Sequence, residues 1–350
     1  MRIMVTGNLG YIGPSVIHQL RKSYPDAVLV GMDLGIFSHC LTGVSSSPER
    51  ELNYQIYKDV RNVTESDFEG FSSVIHLAAI SNDPMGNTFE RVTEEINYKS
   101  SLRIASLAKS SGVRNYVFAS SCSVYGAASE SPKKEEDDLN PLTAYAKSKI
   151  ETEIGLKDIA SEDFIVTCLR FATACGFSER TRLDLVINDF VAAAITNGVI
   201  NILSDGTPWR PLIHIADMAR ALDWAVTRES SNGGTMLIVN AGSDKWNYQV
   251  KDLAEAVAAE IPGTNVEINQ NALQDDRSYK VDFSKFRKLA PDHQPQISLI
   301  ETIKELRDGL IAMKFSDGEF RDSNFIRLNV LNDHISSNRL TNNLEWTTES

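Results

Sequence analysis

The sequence predicts a doubly wound parallel α/β fold with a smaller α/β lobe attached. Three observations carry that prediction. Short apolar runs recur through the first half of the 350 residues without polar alternation, as strands buried on both faces require. Helix-like segments separate the runs, so the order is a repeated strand–helix–strand. A glycine-rich turn follows the first run and opens the first helix.

The apolar runs are residues 3–6, 28–33, 74–79, 116–121 and 165–170, with a further strand at Tyr54 to Tyr57. Helical patterns cover Val16 to Tyr24, Ile96 to Ser110 and Pro141 to Ile159. After about Asn188 the order loosens. Helices are predicted at Asp189 to Asn197, Ala216 to Thr227, Tyr248 to Ile261 and Ile297 to Met313, and strands at Ile200 to Leu203 and Met236 to Val239. The expected division is therefore 1–187 as the main nucleotide-binding unit and 188–313 as a substrate lobe whose late strands return to the main sheet. Residues 314–350 form a polar tail with a helix at Asn324 to Ser336. The runs SSS (45–47) and KKEEDD (133–138) read as solvated loops.

Composition narrows the function. The formal net charge is -12 with scattered basic residues, which argues against a nucleic-acid groove or an anionic membrane surface. Cys40, Cys122, Cys168 and Cys175 are not in CxxC spacing, so neither a disulfide framework nor a zinc site is expected. No apolar run is long enough to span a membrane, and the first strand begins at Arg2. A soluble cytoplasmic protein is the expectation.

The first strand runs into Gly7-Asn-Leu-Gly10-Tyr-Ile-Gly13. Gly7 allows a sharp turn, Gly10 allows backbone to approach a pyrophosphate, and Gly13 allows helix to pack on strand. Asp33 closes the second strand at the distance expected of an acid that accepts from the adenosine ribose hydroxyls. It would repel a 2′-phosphate, which favours NAD over NADP. These features specify a Rossmann-type sheet. Asp59, followed by Val60, lies just past the third strand; it either accepts from the adenine amino group or serves the turn.

Asn140-Pro141 reads as an N-cap and a first helical position. Tyr145 and Lys149 follow at i and i+4, on one helix face. A cation beside a phenol favours the phenolate and lowers its pKa toward working pH. Such a tyrosine can take a proton from an alcohol while hydride leaves the same carbon.

With these motifs in place, the chain resembles an extended short-chain dehydrogenase/reductase of the NAD-dependent nucleotide-sugar epimerase/dehydratase type, over about residues 1 to 310. The resemblance rests on TGNLGYIG (6–13), Asp33, Asp59-Val60, HLAA (76–79), Asn97, SSCSVYG (120–126), the Tyr145/Lys149 pair and RPLIHIAD (210–217). It implies that the amides of Tyr11 and Ile12 bind the pyrophosphate. It also implies that Asp59 and Val60 flank the adenine and that Leu77, Ala78 and Ala79 line the nicotinamide half. Lys149 would hold the nicotinamide ribose, and Ser121 would bond the reacting sugar hydroxyl. Family members commonly form homodimers through two helices each.

The 4,6-dehydratases of this family carry Thr-Asp-Glu-Val-Tyr-Gly at the corner where this chain has Ser121-Cys122-Ser123-Val124-Tyr125-Gly126. The acid and the base of dehydration are thus replaced by a thiol and a hydroxyl. What is left is Ser121, Tyr145, Lys149 and NAD, the kit of a hydroxyl epimerase working at C4 through a 4-keto sugar. Three alternatives stay open: a sugar-nucleotide reductase or dehydrogenase, a C3/C5 epimerase using Cys122, and a non-catalytic NAD-binding sensor. For the nucleotide-sugar substrate, the resemblance assigns Arg210 and Arg277 to the diphosphate or base and Asn188 to the pyrophosphate, with His214 orienting its loop. Thr173 stands where relatives often have Asn, and Pro211 where they often have Asp. The loop Ser81 to Gly86, with Asp83, would lie by the hexose, and points to a specialised substrate such as a deoxysugar.

Overall fold

The computed structural model describes residues 1–127, 131–269 and 278–347. The first unit is β1 (Arg2–Thr6), α1 (Gly13–Ser23), β2 (Val28–Asp33), β3 (Tyr54–Tyr57) and β4 (Ser73–His76). There follow α2 (Asp83–Thr88), α3 (Glu90–Thr93), a π-helical stretch Glu94–Lys99, α4 (Ser100–Ser110), β5 (Asn115–Ser121), α5 (Ala144–Ile159) and β6 (Ile165–Phe171). The second half contains β7 (Thr173–Cys175), α6 (Val186–Asn197), β8 (Val199–Ile202), β9 (Trp209–His214), α7 (Ile215–Ala225) and β10 (Met236–Ala241). It ends with β11 (Asn247–Gln249), α8 (Val250–Glu260), β12 (Asn265–Ile268), α9 (Ser284–Leu289), α10 (Leu299–Ala312) and α11 (Arg327–Ser336).

Seven strands form one parallel sheet in the order β10-β6-β5-β4-β1-β2-β3. The order reverses beside β1, so the carboxyl ends of β1 and β4 open onto one crevice. Strands β4 and β6 are buried along their whole length, which explains the unbroken apolar runs in the sequence. Apolar clusters fill both faces of the sheet, one around Leu29, Ile75, Val117 and Leu222, the other around Met4, Val74, Phe118 and Leu156.

The lobe adds two small sheets, β11-β9-β7 and β12-β8, over a third cluster drawn largely from α6, α8 and α10. The sequence reading missed β7, β9, β11 and β12, each only three to six residues long. It also ran the fourth strand on to residue 79, whereas β4 stops at His76 and Leu77 to Ala79 form the loop at the crevice. The tail helix α11 does not lie on the lobe alone. Leu331, Leu340 and Leu344 pack with Ile80, Met85 and Val92 of the main unit.

Among the described residues no helix is long and apolar enough to cross a membrane, and no cluster of three or more metal-ligating side chains occurs. All four cysteines are buried free thiols.

Candidate functional site

One cleft of about 1230 Å³ runs along the carboxyl ends of the strands. At its cofactor end, Gly7 turns the chain with φ +74, and a Cβ there would lie 2.5 Å from the Ala78 amide nitrogen. The turn thus demands glycine. A Cβ on Gly13 would strike the Asn8 carbonyl oxygen at 1.8 Å, so Gly13 serves helix–strand packing and does not line the cleft. Gly10, Tyr11 and Ile12 line it, just ahead of the α1 N-terminus, where a pyrophosphate is favoured. Asp33 accepts from the Gly35 amide at 2.8 Å and the Leu9 amide at 3.1 Å, and its carboxylate lines the same wall. A tight glycine cradle ending in a fixed carboxylate fits a dinucleotide with a free ribose.

Asp59 and Val60 also line the cleft, but the Asp59 carboxylate is already engaged. It caps the turn at the Arg61 amide (2.8 Å) and takes a bidentate grip from the Arg61 guanidinium. The turn reading therefore describes Asp59 better than an acceptor for the adenine amino group. A carboxylate saturated by a guanidinium has little capacity left.

At the chemical end, π-helical Asn97 ties α5 to the loop after β4. Its side chain accepts from the Ile80 amide (2.8 Å) and donates to the Ile80 carbonyl (3.0 Å) and the Ser148 hydroxyl (3.2 Å). The helix α5 begins later than the sequence suggested. Thr143, not Asn140, is its N-cap, accepting from the Ala146 amide at 3.1 Å. Asn140 is instead held by its own amide to the Val124 carbonyl, in the corner below.

Tyr145 and Ser121 both line the cleft here. The Lys149 amine lies 5.4 Å from the Tyr145 ring centroid and 4.6 Å from that of Phe118, and donates to the Ala119 carbonyl at 2.7 Å. The expectation that Lys149 acidifies the phenol needs correction. Burial dominates and pushes the Tyr145 pKa up to about 12, with the Ser121 hydroxyl and Arg182 pulling it down and Asp83 pushing it up. Burial likewise pulls Lys149 down to about 8, against the nearby Glu153 carboxylate.

Cys122 does not face the cleft. It is fully buried in the core, its thiol donates to the Arg170 carbonyl at 3.1 Å, and burial drives its pKa far up. A thiol so placed is neither acid nor nucleophile. The corner turns through Cys122–Tyr125, so alternate residues Ser121 and Ser123 reach the cleft and Cys122 points inward.

Asn188 is also displaced from its expected role. It is fully buried, donates to the Tyr11 hydroxyl (3.0 Å) and the Arg182 carbonyl (2.8 Å), and does not line the cleft. Ser81, Asp83, Thr173 and Arg210 do line it. The Asp83 carboxylate accepts from the Thr143 hydroxyl at 2.7 Å, so it also anchors the start of α5. His214 caps α7 at the Ala216 amide and contacts Glu305 at 2.7 Å, which fixes the β9–α7 corner. Arg277 lies outside the described residues.

The sequence reading missed Arg182. It lines the cleft, forks onto Asp184 through two 2.8 Å bonds and donates to the Ser81 hydroxyl at 2.7 Å. Asn82 completes the group on Asp184 at 2.9 Å. The available signal was the alternating Arg180-Thr-Arg182-Leu-Asp184 on the path from β7 to α6.

A family model described as the NAD dependent epimerase/dehydratase family matches residues 3–242. The chain belongs to that family. NAD is accordingly its cofactor, in agreement with the cradle and with Asp33. Among curated relatives, UDP-glucose 4-epimerase of Corynebacterium glutamicum is 28% identical over 282 residues, covering 75% of this chain and 81% of that protein. UDP-glucuronic acid decarboxylase 6 of Arabidopsis thaliana is 26% identical over 325 residues, covering 90% and 88%. Among solved structures, TunA, an NAD-dependent NDP-hexosamine 5,6-dehydratase of tunicamycin biosynthesis, superposes with TM-score 0.74 at 24% identity, covering 91% of this chain and 99% of its own. At that identity the likeness establishes the shared fold of this epimerase/dehydratase family member and no more.

Proposed function

We propose that the protein is a nucleotide-sugar epimerase acting at C4, with Tyr145 as the base. The observation that carries the reading is that Ser121 and Tyr145 line one cleft, at a corner with no carboxylate from Ser121 to Tyr125. Cys122, the rival group, is sealed in the core. Bound NAD supplies the hydride acceptor, and then the donor, for the carbon that changes configuration. Ser121 orients the C4 hydroxyl, and Tyr145 acts as its phenolate, a form that burial opposes and that the positive charge of oxidised NAD would favour, accepting the hydroxyl proton and later returning one to the opposite epimer. Lys149, fixed by the Ala119 carbonyl, offers a charged amine at neutral pH, since its pKa of about 8 lies above 7. Arg210 faces the substrate end, where a diphosphate suits its guanidinium. Ser81 and Asp83 stand where they can select hydroxyl or amino groups on an unusual hexose. A homodimer and a cytoplasmic setting belong to the same proposal and rest on the family resemblance.

The test is incubation with UDP-, dTDP-, GDP- and CDP-sugars in deuterated water, followed by proton NMR. Inversion at C4 without solvent deuterium is the expected result. Deuterium at C3 or C5 would return the reaction to an enolising route. Net oxidation or reduction with release of NADH would make the protein a dehydrogenase or reductase, and loss of water would make it a dehydratase.

A further inference from the structure

The tail leaves the lobe after α10 and crosses back to the cofactor end of the cleft. There it grips the loop that follows Asp33 at two points. The Trp346 indole donates to the Leu34 carbonyl at 2.9 Å, and the His334 ring meets the Ile36 carbonyl at 3.2 Å. It grips the adjoining turn at a third point, where Arg61, already paired with Asp59, donates to the Asn343 carbonyl (2.7 Å) and the Leu344 carbonyl (3.2 Å). Arg327 adds a fourth, reaching the carbonyls of Arg180 (2.8 Å) and Thr181 (3.1 Å). Between these anchors Leu331 and Leu344 line the same cleft as Asp33, Asp59 and Val60. Leu344 is fully buried with φ +56, a conformation that leucine rarely adopts. Its carbonyl is held by Arg61 and its side chain by the tail cluster, so the turn is set by what it packs against. The tail residues that make these contacts lie beyond residue 242, where the family match ends.

We propose that residues 339–347 are a strap that completes the adenosine pocket and keeps NAD resident through turnover. Val60 presents apolar surface suited to the face of a purine, Leu344 is packed into the same wall from the strap side, and Asp59, occupied by Arg61, helps to hold the strap in place. The proposal rests on NAD dependence and not on the C4 reaction. A coenzyme that stays in place is what internal return of a hydride requires.

The experiment compares the full chain with a chain ending at Asn338 and with the full-length variant Leu344→Gly. Glycine adopts the positive φ freely, so that variant removes the wall while leaving the turn intact. NAD carried through purification is quantified after denaturation, and its dissociation rate is followed after dilution into buffer without NAD. ADP-ribose and nicotinamide mononucleotide are the equilibrium probes. The strap predicts NAD loss at least about tenfold faster in both variants, with ADP-ribose weakened in step and nicotinamide mononucleotide unchanged. If the shortened chain does not fold, Leu344→Gly alone decides. Retention of NAD at the full-length rate in the folded variants would overturn the proposal. A full-length protein that holds NAD but epimerises nothing, and loses NAD when shortened, would refute the C4 reading while supporting the strap.

Discussion

Lys149 and Glu153 lie one turn apart on the same face of α5, both buried, and the protein treats them in opposite ways. Lys149 meets a neutral carbonyl and two aromatic faces, and burial shifts its pKa down to about 8. Glu153 meets a guanidinium. Arg170 grips it through bonds of 2.7 to 3.2 Å, and the Ser120 hydroxyl donates to it at 2.5 Å. Arg170 then continues to the Tyr125 hydroxyl at 3.0 Å, which bonds Asn240 at 2.7 Å. Its pKa is pushed upward by Glu153, against the cost of burial. A buried charge left without a direct ion pair becomes tunable and useful. A buried charge given a full set of partners becomes a fixed strut.

The sharpest way to break that contrast is Tyr145→Phe. If the Ser121–Tyr145–Lys149 corner does the chemistry, the variant loses about 10²–10⁴-fold in turnover. Its NAD content and melting temperature should stay near those of the parent. Full activity in the variant would show that the corner around the tunable Lys149 does no chemistry.

Next in size is the strut. Arg170→Met strands the Glu153 carboxylate in the core, with an expected loss of about 3–5 kcal/mol in denaturant unfolding. The double change Arg170→Met with Glu153→Leu should cost much less, because neither member of the Arg170–Glu153 pair is then left buried without the other. Equal losses in the single and double variants would show that packing, and not pairing, makes this a strut.

The smallest effect has the opposite sign. Lys149→Met removes a charge that folding disfavours, so it should raise stability at pH 7 by roughly 1–3 kcal/mol while lowering activity. The pH dependence follows from the direction of the shift. Lys149 ionises at about 8 in the folded chain, below the ordinary lysine value of 10.5, so between those values the unfolded chain binds the extra proton. Stability of the parent should therefore rise with pH across that window, and the advantage of Lys149→Met should shrink. A constant advantage from pH 7 to 10.5 would contradict the shift.

Much of the cofactor half was legible because its rules are local. A glycine that must turn, an acid at the end of a strand and an apolar run buried on both faces each declare themselves within a few residues. The spacing of Tyr145 and Lys149 was legible for the same reason. The late strands of the lobe were not, since three- to six-residue strands such as β7 and β9 form only when distant partners supply their hydrogen bonds. Asn188 looked like a ligand and proved to be a brace, because its fully buried amide had closer partners in Tyr11 and Gly176.

By itself, then, the sequence determined the doubly wound sheet, the dinucleotide cradle and the phenol–amine pair, all set by periodicity and short spacing. Only the tertiary structure decided that Cys122 faces the core while Ser121 and Ser123 face the cleft, and that Arg182 stands beside the loop at Ser81. It also decided that the last turn of chain, through Leu344, lies against the cofactor end. The physical reason is distance along the chain: burial and partner choice depend on which far segments meet, and neither composition nor local pattern encodes that meeting.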